Sequence, residues 1–600
     1  MEVLMNISQQ EVFVQDQSKI KTLFLTKSIP FLLAIGSFFL AWLLLGRFDW
    51  YIPFKYADGD CLYAIGFIRR LMDSFWYSSV GYIGFPFGSS LLDYPSSDAG
   101  NFAVLKLLLV LTRNLALTFN LYALLGFSVT AVACYCVLEK LLLSKSLSLA
   151  AAIIFTFLPF HFNRLMVHTH IFLCWYFCVP IFTWFAYKIY SKQTIFFQSD
   201  RGYKQIIAII IALLALSCFG VYYSFFSLII FIGSGIVGSL KWKSGRNIYS
   251  ALISVAIVIM GVSLNLAPNI NYWFKNGFNQ DAVTRYSFES EIYGLKMIQM
   301  LLPHDNHRSS RLKNILKIYE KDPFLINENS SASLGIIGTM GFLALLTIFL
   351  FFPFIKFQID DRIQLLSFLS IFLFLFATIG GFSSIFNTFV TPMIRAWNRA
   401  SIFINFFSIV GFFVFVEIII EKISNPKYLK GNLIIAALLL TLFGVYEQSL
   451  ALIDNKANLK ATKKLFLSDK YFTKKIEQII PRGTVYQLPY MPFPEVASIN
   501  SLASYGLFRG YIHSSTLHWS YGGMKGRKGD LFFRNLANQS LSNQIKAIKT
   551  LGFNGVYIDR RGYVDRGKVV ETELRKLLSV KPLISEDENL VFFSMANKKK

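Results

Sequence analysis

Two aspartates one residue apart, Asp58 and Asp60, stand in the stretch Tyr56-Ala57-Asp58-Gly59-Asp60. A carboxylate held within hydrogen-bond reach of a hydroxyl can take its proton as a general base. The intervening Gly59 permits a sharp turn that can aim both carboxylates into one cleft. The plainer use of such a pair is a solvated turn. Hard oxygen ligands suit magnesium or manganese, but two acids make a thin site. A divalent cation is therefore an open alternative, and no other cofactor is implied. A second group is His304, His307 and Arg308, followed by Glu328. Histidine and arginine beside one another can hold a phosphate, the guanidinium offering a fork of donors. The alternative is a hydrated loop with incidental histidines. A third group is Arg395 and Arg399, four residues apart, which on a helix share one face and can clamp one anion. The alternative is interfacial anchoring together with Trp397. His161, Arg164, His168 and His170 form a fourth group, but with no accompanying acid they make a poor metal set.

The elements that must position these residues are mostly apolar. Of the 600 residues 54% are hydrophobic and 16% charged, and the apolar residues fall in blocks long enough to cross a bilayer. That excludes a string of soluble domains. A net charge of +24 suggests nucleic acid in a soluble protein, yet much of the excess lies in short connectors between apolar blocks, and no nucleic-acid-binding motif accompanies it. The six cysteines show no disulfide framework.

The pattern predicts a mainly α-helical polytopic membrane protein with about eleven transmembrane helices. The expected spans are 29–46, 117–138, 147–160, 171–187, 206–221, 222–240, 251–268, 334–354, 365–379, 401–420 and 432–446. Residues 1–28 read as a cytoplasmic segment and 29–449 as the membrane domain, with external loops at 47–101, 269–333 and 380–400 that include amphipathic helices, and with a short apolar run at 102–111, after the first loop, that suits an interfacial helix. With the N-terminus inside, the Lys-rich connectors all fall on the cytoplasmic side. The loops carrying Asp58, His170, His304 and Arg395 then share the outer face with residues 450–600. Those last residues alternate strand-like runs (484–488, 555–558, 590–593) with helical ones (540–551, 569–578), predicting a small soluble α/β domain.

This organisation, many spans with an Asp-x-Asp-like motif at Asp58 and Asp60 in a long first external loop and a soluble external C-terminal domain, resembles the GT-C class of membrane glycosyltransferases. It is also similar to the broad group of bacterial YfhO-related multi-pass membrane proteins. The resemblance implies an inverting transfer of a sugar from a polyprenyl-phosphate carrier to an envelope glycan or lipid acceptor, on the outer face of the bacterial inner membrane. It maps the catalytic acid to Asp58 or Asp60, with Asp60 slightly favoured because the following residues read as the start of a helix. His304, His307, Arg308, Glu328, Arg395 and Arg399 are the candidates for substrate binding. The competing readings are a flippase or transporter of lipid-linked sugars or envelope polymer, and a non-enzymatic envelope scaffold.

Overall fold

The computed structural model describes residues 28–94, 98–141, 143–198, 202–321, 331–351, 359–449 and 455–595. Among them, six helices are long and apolar enough to cross a membrane: Leu115–Lys140, Lys145–Val167, Val221–Trp242, Arg246–Asn276, Trp397–Ile423 and Leu429–Gln448. The other five expected spans also contain helices, but shorter ones: Ser28–Leu44, Cys178–Tyr190, Tyr203–Leu216, Gly335–Phe351 and Asp361–Ala377. Among the described residues, the eleven expected crossings thus correspond to six long helices and five shorter ones. The reason is plainest at 171–187. That run opens with a 3-10 turn, Ile171–Cys174, so the α-helix keeps 13 residues, about 20 Å at 1.5 Å per residue against a hydrocarbon core of about 30 Å. Conversely, 161–164, expected in a loop, continue the third span as one further helical turn and a π turn. His161 is wholly buried there, stacked on Phe127 and within 3.1 Å of the Tyr176 hydroxyl.

The bundle has two unlike ends. At one end the Lys-rich connectors tie the helices together. Lys241 binds Asp361 and Gln364, Arg362 donates to the Leu141 carbonyl at 2.9 Å, and Trp242 donates to the Tyr190 carbonyl. Glu417, a carboxylate inside a span, belongs to this end and accepts from the Ser144 N–H. At the other end the first loop and the C-terminal region pack into one polar structure.

That structure is organised by a five-stranded sheet. After the hairpin of β1 (Ser79–Val80) and β2 (Ser89–Ser90), the strands are β3 (Thr484–Leu488), β4 (His518–Trp519), β5 (Gly555–Asp559), β6 (Leu583–Ile584) and β7 (Leu590–Ser594). Their order is β4-β3-β5-β7-β6, with β3 parallel to β4 and β5 and with β7 antiparallel to its neighbours. All five residues of β5 are buried, because both faces of the sheet are covered. Helices Lys528–Ala537, Leu541–Thr550 and Lys568–Leu578 cover one face through Phe533, Ile548 and Leu574. The other face, with Val485, Trp519 and Tyr557, packs on the long Asn455–Ile479 helix and on the first loop. The first loop also extends the sheet edge: Phe85 N–H bonds to the Trp519 carbonyl at 3.0 Å, and Trp519 N–H to the Tyr82 carbonyl at 2.8 Å. Buried Arg70 fixes the hairpin by donating to the Tyr77, Ser78 and Ser89 carbonyls.

Candidate active site

Gly59 sits at φ +76°, a conformation that costs glycine little, and its N–H bonds to the Ser504 carbonyl of the C-terminal region. That turn ends at Asp60, the first residue of the Asp60–Asp73 helix. Leu62, Ile65, Ile68 and Leu71 are wholly buried on the helix and hold it rigidly. The Asp60 carboxylate is half exposed and lines a cavity of about 350 Å³. His170 Nε2 lies 3.1 Å from Asp60 Oδ2, and Arg164 Nη1 lies 3.2 Å from His170 Nδ1. A guanidinium can only donate, so Nδ1 accepts and the ring proton resides on Nε2, which donates to Asp60. One carboxylate oxygen is thereby oriented, and the other takes no hydrogen bond from the described residues.

The same cavity also carries cations. Arg395 and Arg399 both line the cavity, but not from one α-helical face. Arg395 precedes the 3-10 turn Trp397–Ala400, which leads into the Ser401–Ile423 helix. Trp397 pins this turn, wholly buried and donating from its ring to Asn387 at 3.2 Å. The Arg395 guanidinium lies 5.1 Å from the centre of the Tyr293 ring and approaches Glu289 only at 3.5 Å. Arg399 lies 4.2 Å above the Tyr222 ring; it makes no ion pair with a described residue, and its buried Nε has no hydrogen-bond partner. The side-chain amide of the adjacent, buried Asn398 is also unpartnered. Gly220 and Val221, at the N-terminus of the Val221–Trp242 helix, add a positive dipole end to the same lining.

Part of the lining comes from the C-terminal region and is not among the residues the sequence singles out. Glu495 and Tyr505 reach the cavity, where Glu495 takes a two-pronged ion pair from Arg285 at 2.8 and 2.9 Å and a hydrogen bond from the Tyr94 hydroxyl at 2.6 Å. Burial alone would raise the Glu495 pKa, but Arg285 and Tyr94 hold it below the ordinary carboxylate value. This pair is therefore charge-balanced, in contrast to Arg399. Local sequence carries no signal for Glu495. Arg285 and Tyr94 lie in the expected loops, but nothing in their spacing couples them. His170 was visible as part of a His-x-His group; its role beside Asp60 depends on tertiary contact.

The other candidates lie elsewhere. Asp58 does not line the cavity: its two oxygens are held by Arg509 at 2.7 Å and Arg561 at 3.2 Å, both from the C-terminal region. Burial works against the charge on Arg509, but Tyr56, Asp469 and Asp58 hold its pKa well above the ordinary value. With Asp58 clamped away from Asp60, the two carboxylates do not fit a shared divalent cation. Among the described residues no group of three or more His, Cys, Asp or Glu is arranged to hold a metal. His304, His307 and Arg308 sit beside the end of the Leu429–Gln448 helix and do not line the cavity. His307 Nδ1 accepts from the Ser309 N–H, leaving Nε2 to face Glu447 at 3.6 Å, and Arg308 stacks on Tyr446. Burial, with His307 second, pushes His304 down to about 4. Glu328 lies outside the described residues.

No known family model and no curated protein match the sequence. Among solved structures the chain is similar to ArnT from Cupriavidus metallidurans bound to undecaprenyl phosphate, with 10% identity and a TM-score of 0.48, covering 94% of this chain and 98% of that one. It is also similar to the archaeal oligosaccharyltransferase AglB from Archaeoglobus fulgidus in complex with an inhibitory peptide and a dolichol-phosphate, with 11% identity and a TM-score of 0.43, covering 96% of this chain and 75% of that one. The grouping with YfhO-related proteins rests on sequence organisation alone.

Proposed function

We propose that the protein is a membrane glycosyltransferase that moves a sugar from a polyprenyl-phosphate carrier to a hydroxyl of an envelope glycan or lipid. The observation that carries this reading is that one cavity, at the polar end of an apolar bundle, holds both a half-exposed carboxylate and an arginine that has no ion-pair partner among the described residues. A phosphate-linked sugar is already activated, so two tasks remain. Asp60, oriented by His170, accepts the proton of the acceptor hydroxyl as its oxygen attacks the anomeric carbon. The bond from that carbon to the phosphate oxygen breaks, and Arg399, with Arg395 alongside, stabilises the departing phosphate. Attack opposite the leaving group inverts the anomeric centre. Asp98 and Glu495 also line the cavity, but in this reading Asp60 alone takes the proton and no second carboxylate attacks the sugar, as retaining chemistry would need.

The Lys-rich end of the bundle then faces the cytoplasm, placing the cavity and the sheet domain on the outer side of the membrane. A cavity confined to one end, with its charges in loops and at helix ends, favours this reading over a transporter with a site at mid-membrane. Purified protein in lipid nanodiscs, offered radiolabelled polyprenyl-phosphate sugars and envelope glycans, should transfer label to glycan and release polyprenyl phosphate. Movement of intact lipid-linked sugar across vesicles, with no transfer from any donor, would refute the assignment.

A further inference from the structure

The Asn455–Ile479 helix carries a charge pattern that the reaction cavity does not use. Its seven lysines, from Lys456 to Lys475, are all exposed. At 100° per residue they fall within an arc of about 140°. Among the described residues their one ion pair is Lys463 with Asp49. The two acids on the helix are engaged elsewhere: Asp469 is buried against Arg509, and Glu477, at the edge of the stripe, accepts from the N–H groups of Ser515 and Thr516. A helix stabilised only by internal packing gains nothing from seven like charges on one face, since like pairs four apart repel.

Beside the last lysines, a groove of about 390 Å³ opens between this helix and β6, the edge strand of the sheet. Lys474, Lys475, Tyr471, Gln478 and Ser468 line it, with Glu586 as its one acid. The Tyr471 ring is 58% exposed, a flat apolar face offered to solvent. Ser468, 4% exposed, has a hydroxyl with no hydrogen-bond partner. An aromatic face, hydroxyl and amide groups, and paired lysines together match a saccharide that bears negative charge: the ring face stacks, the polar groups bond to hydroxyls, and the lysines meet carboxylate or phosphate. The lysine stripe continues along the helix from the groove, as a chain of repeating acidic units requires.

We infer that this groove and stripe form a second binding site, separate from the reaction cavity, for an acidic glycan chain. This rests on the transferase reading only for the chain's role as acceptor, so its test is one of binding and not of transfer. Wild-type protein in uncharged nanodiscs is titrated with hexagalacturonate, and with neutral maltohexaose as control, by isothermal calorimetry. Hexagalacturonate should bind saturably and more weakly as salt rises, and maltohexaose should not. Lys474→Ala with Lys475→Ala, both at exposed positions, should weaken binding at least tenfold without changing the melting temperature. Tyr471→Ala should weaken it severalfold, and Glu586→Gln should strengthen it. Asp60→Asn should bind like wild type, which separates this site from the cavity. Absent binding, equal binding of maltohexaose, or unchanged affinity in the double variant overturns the inference. So does an effect of the lysine variants confined to retention on phosphatidylglycerol vesicles, which would make the stripe a bilayer contact.

Discussion

Asp58 and Asp60 are two residues apart and meet opposite surroundings. Asp58 is held between two arginines of the C-terminal region and ties the first loop to the sheet domain. Asp60 faces a cavity with one oxygen oriented by His170 and the other available. Gly59 separates these fates, its positive φ turning the chain so that one carboxylate enters the interface and the next opens a helix. The same contrast recurs among the arginines. Arg509 is held by Asp58 and the buried Asp469, whereas Arg399 lines the cavity with no ion-pair partner among the described residues. Charge that is fully paired builds the structure, and charge left unpaired at a cavity wall is available for chemistry.

Breaking the comparison at Asp60 should give the largest effect. Asp60→Asn keeps the size of the side chain but cannot take a proton, so turnover should fall roughly a hundred- to ten-thousand-fold. Asp58→Asn should leave turnover almost unchanged and instead lower stability by about 1–3 kcal/mol through weakened charge-assisted bonds. Single-turnover transfer assays beside thermal melting separate the two outcomes, and equal loss of turnover in both variants would join the aspartates in one function again.

The next effect lies on the structural side. Removing Arg509 leaves Asp469 as a buried carboxylate, both side chains being 1% exposed. Breaking such a pair costs about 3–5 kcal/mol. Arg509→Ala should therefore lower the melting temperature of the sheet domain more than any single change in the cavity does. A variant that melts with wild type would show that the clamp contributes little.

A smaller effect concerns pH. His304 is pushed down to about 4 from an ordinary 6.5 by burial. The unfolded chain binds a proton that the folded ring refuses, so stability falls as pH drops from about 6.5 toward 4 and levels off below. The loss is up to about 3 kcal/mol over that window. His304→Leu should flatten this part of the stability profile while sparing transfer near neutral pH. An unchanged profile would mean the ring titrates normally, and lost transfer would return His304 to the site.

Much of this was legible in the sequence. The apolar blocks marked the helices, and the strand-like runs around Val485, Val556 and Phe592 marked the sheet, because alternation and length are local properties. Helix lengths were less legible: Ile171–Cys174 is as apolar as a span yet winds as a 3-10 turn. The residues around the candidate cavity were half legible. Asp60, Arg395 and Arg399 were picked out by type and setting, but Asp58 is an interface residue, and His304, His307 and Arg308 belong to a different corner. Residues sharing the polar end of a bundle need not share a cavity. Glu495 could not have been found, since only folding brings it to the wall beside Arg285.

In the proposed reaction labour is divided within one cavity, Asp60 moving the proton and Arg399 holding the phosphate. The most direct test of that division is polyprenyl-phosphate binding, measured side by side on wild type, Asp60→Asn and Arg399→Ala. Asp60→Asn should bind like wild type. Arg399→Ala should lose about 1.5–3 kcal/mol of binding, the worth of a charge-assisted hydrogen bond. Equal binding by all three proteins, or equal loss in both variants, would contradict that division.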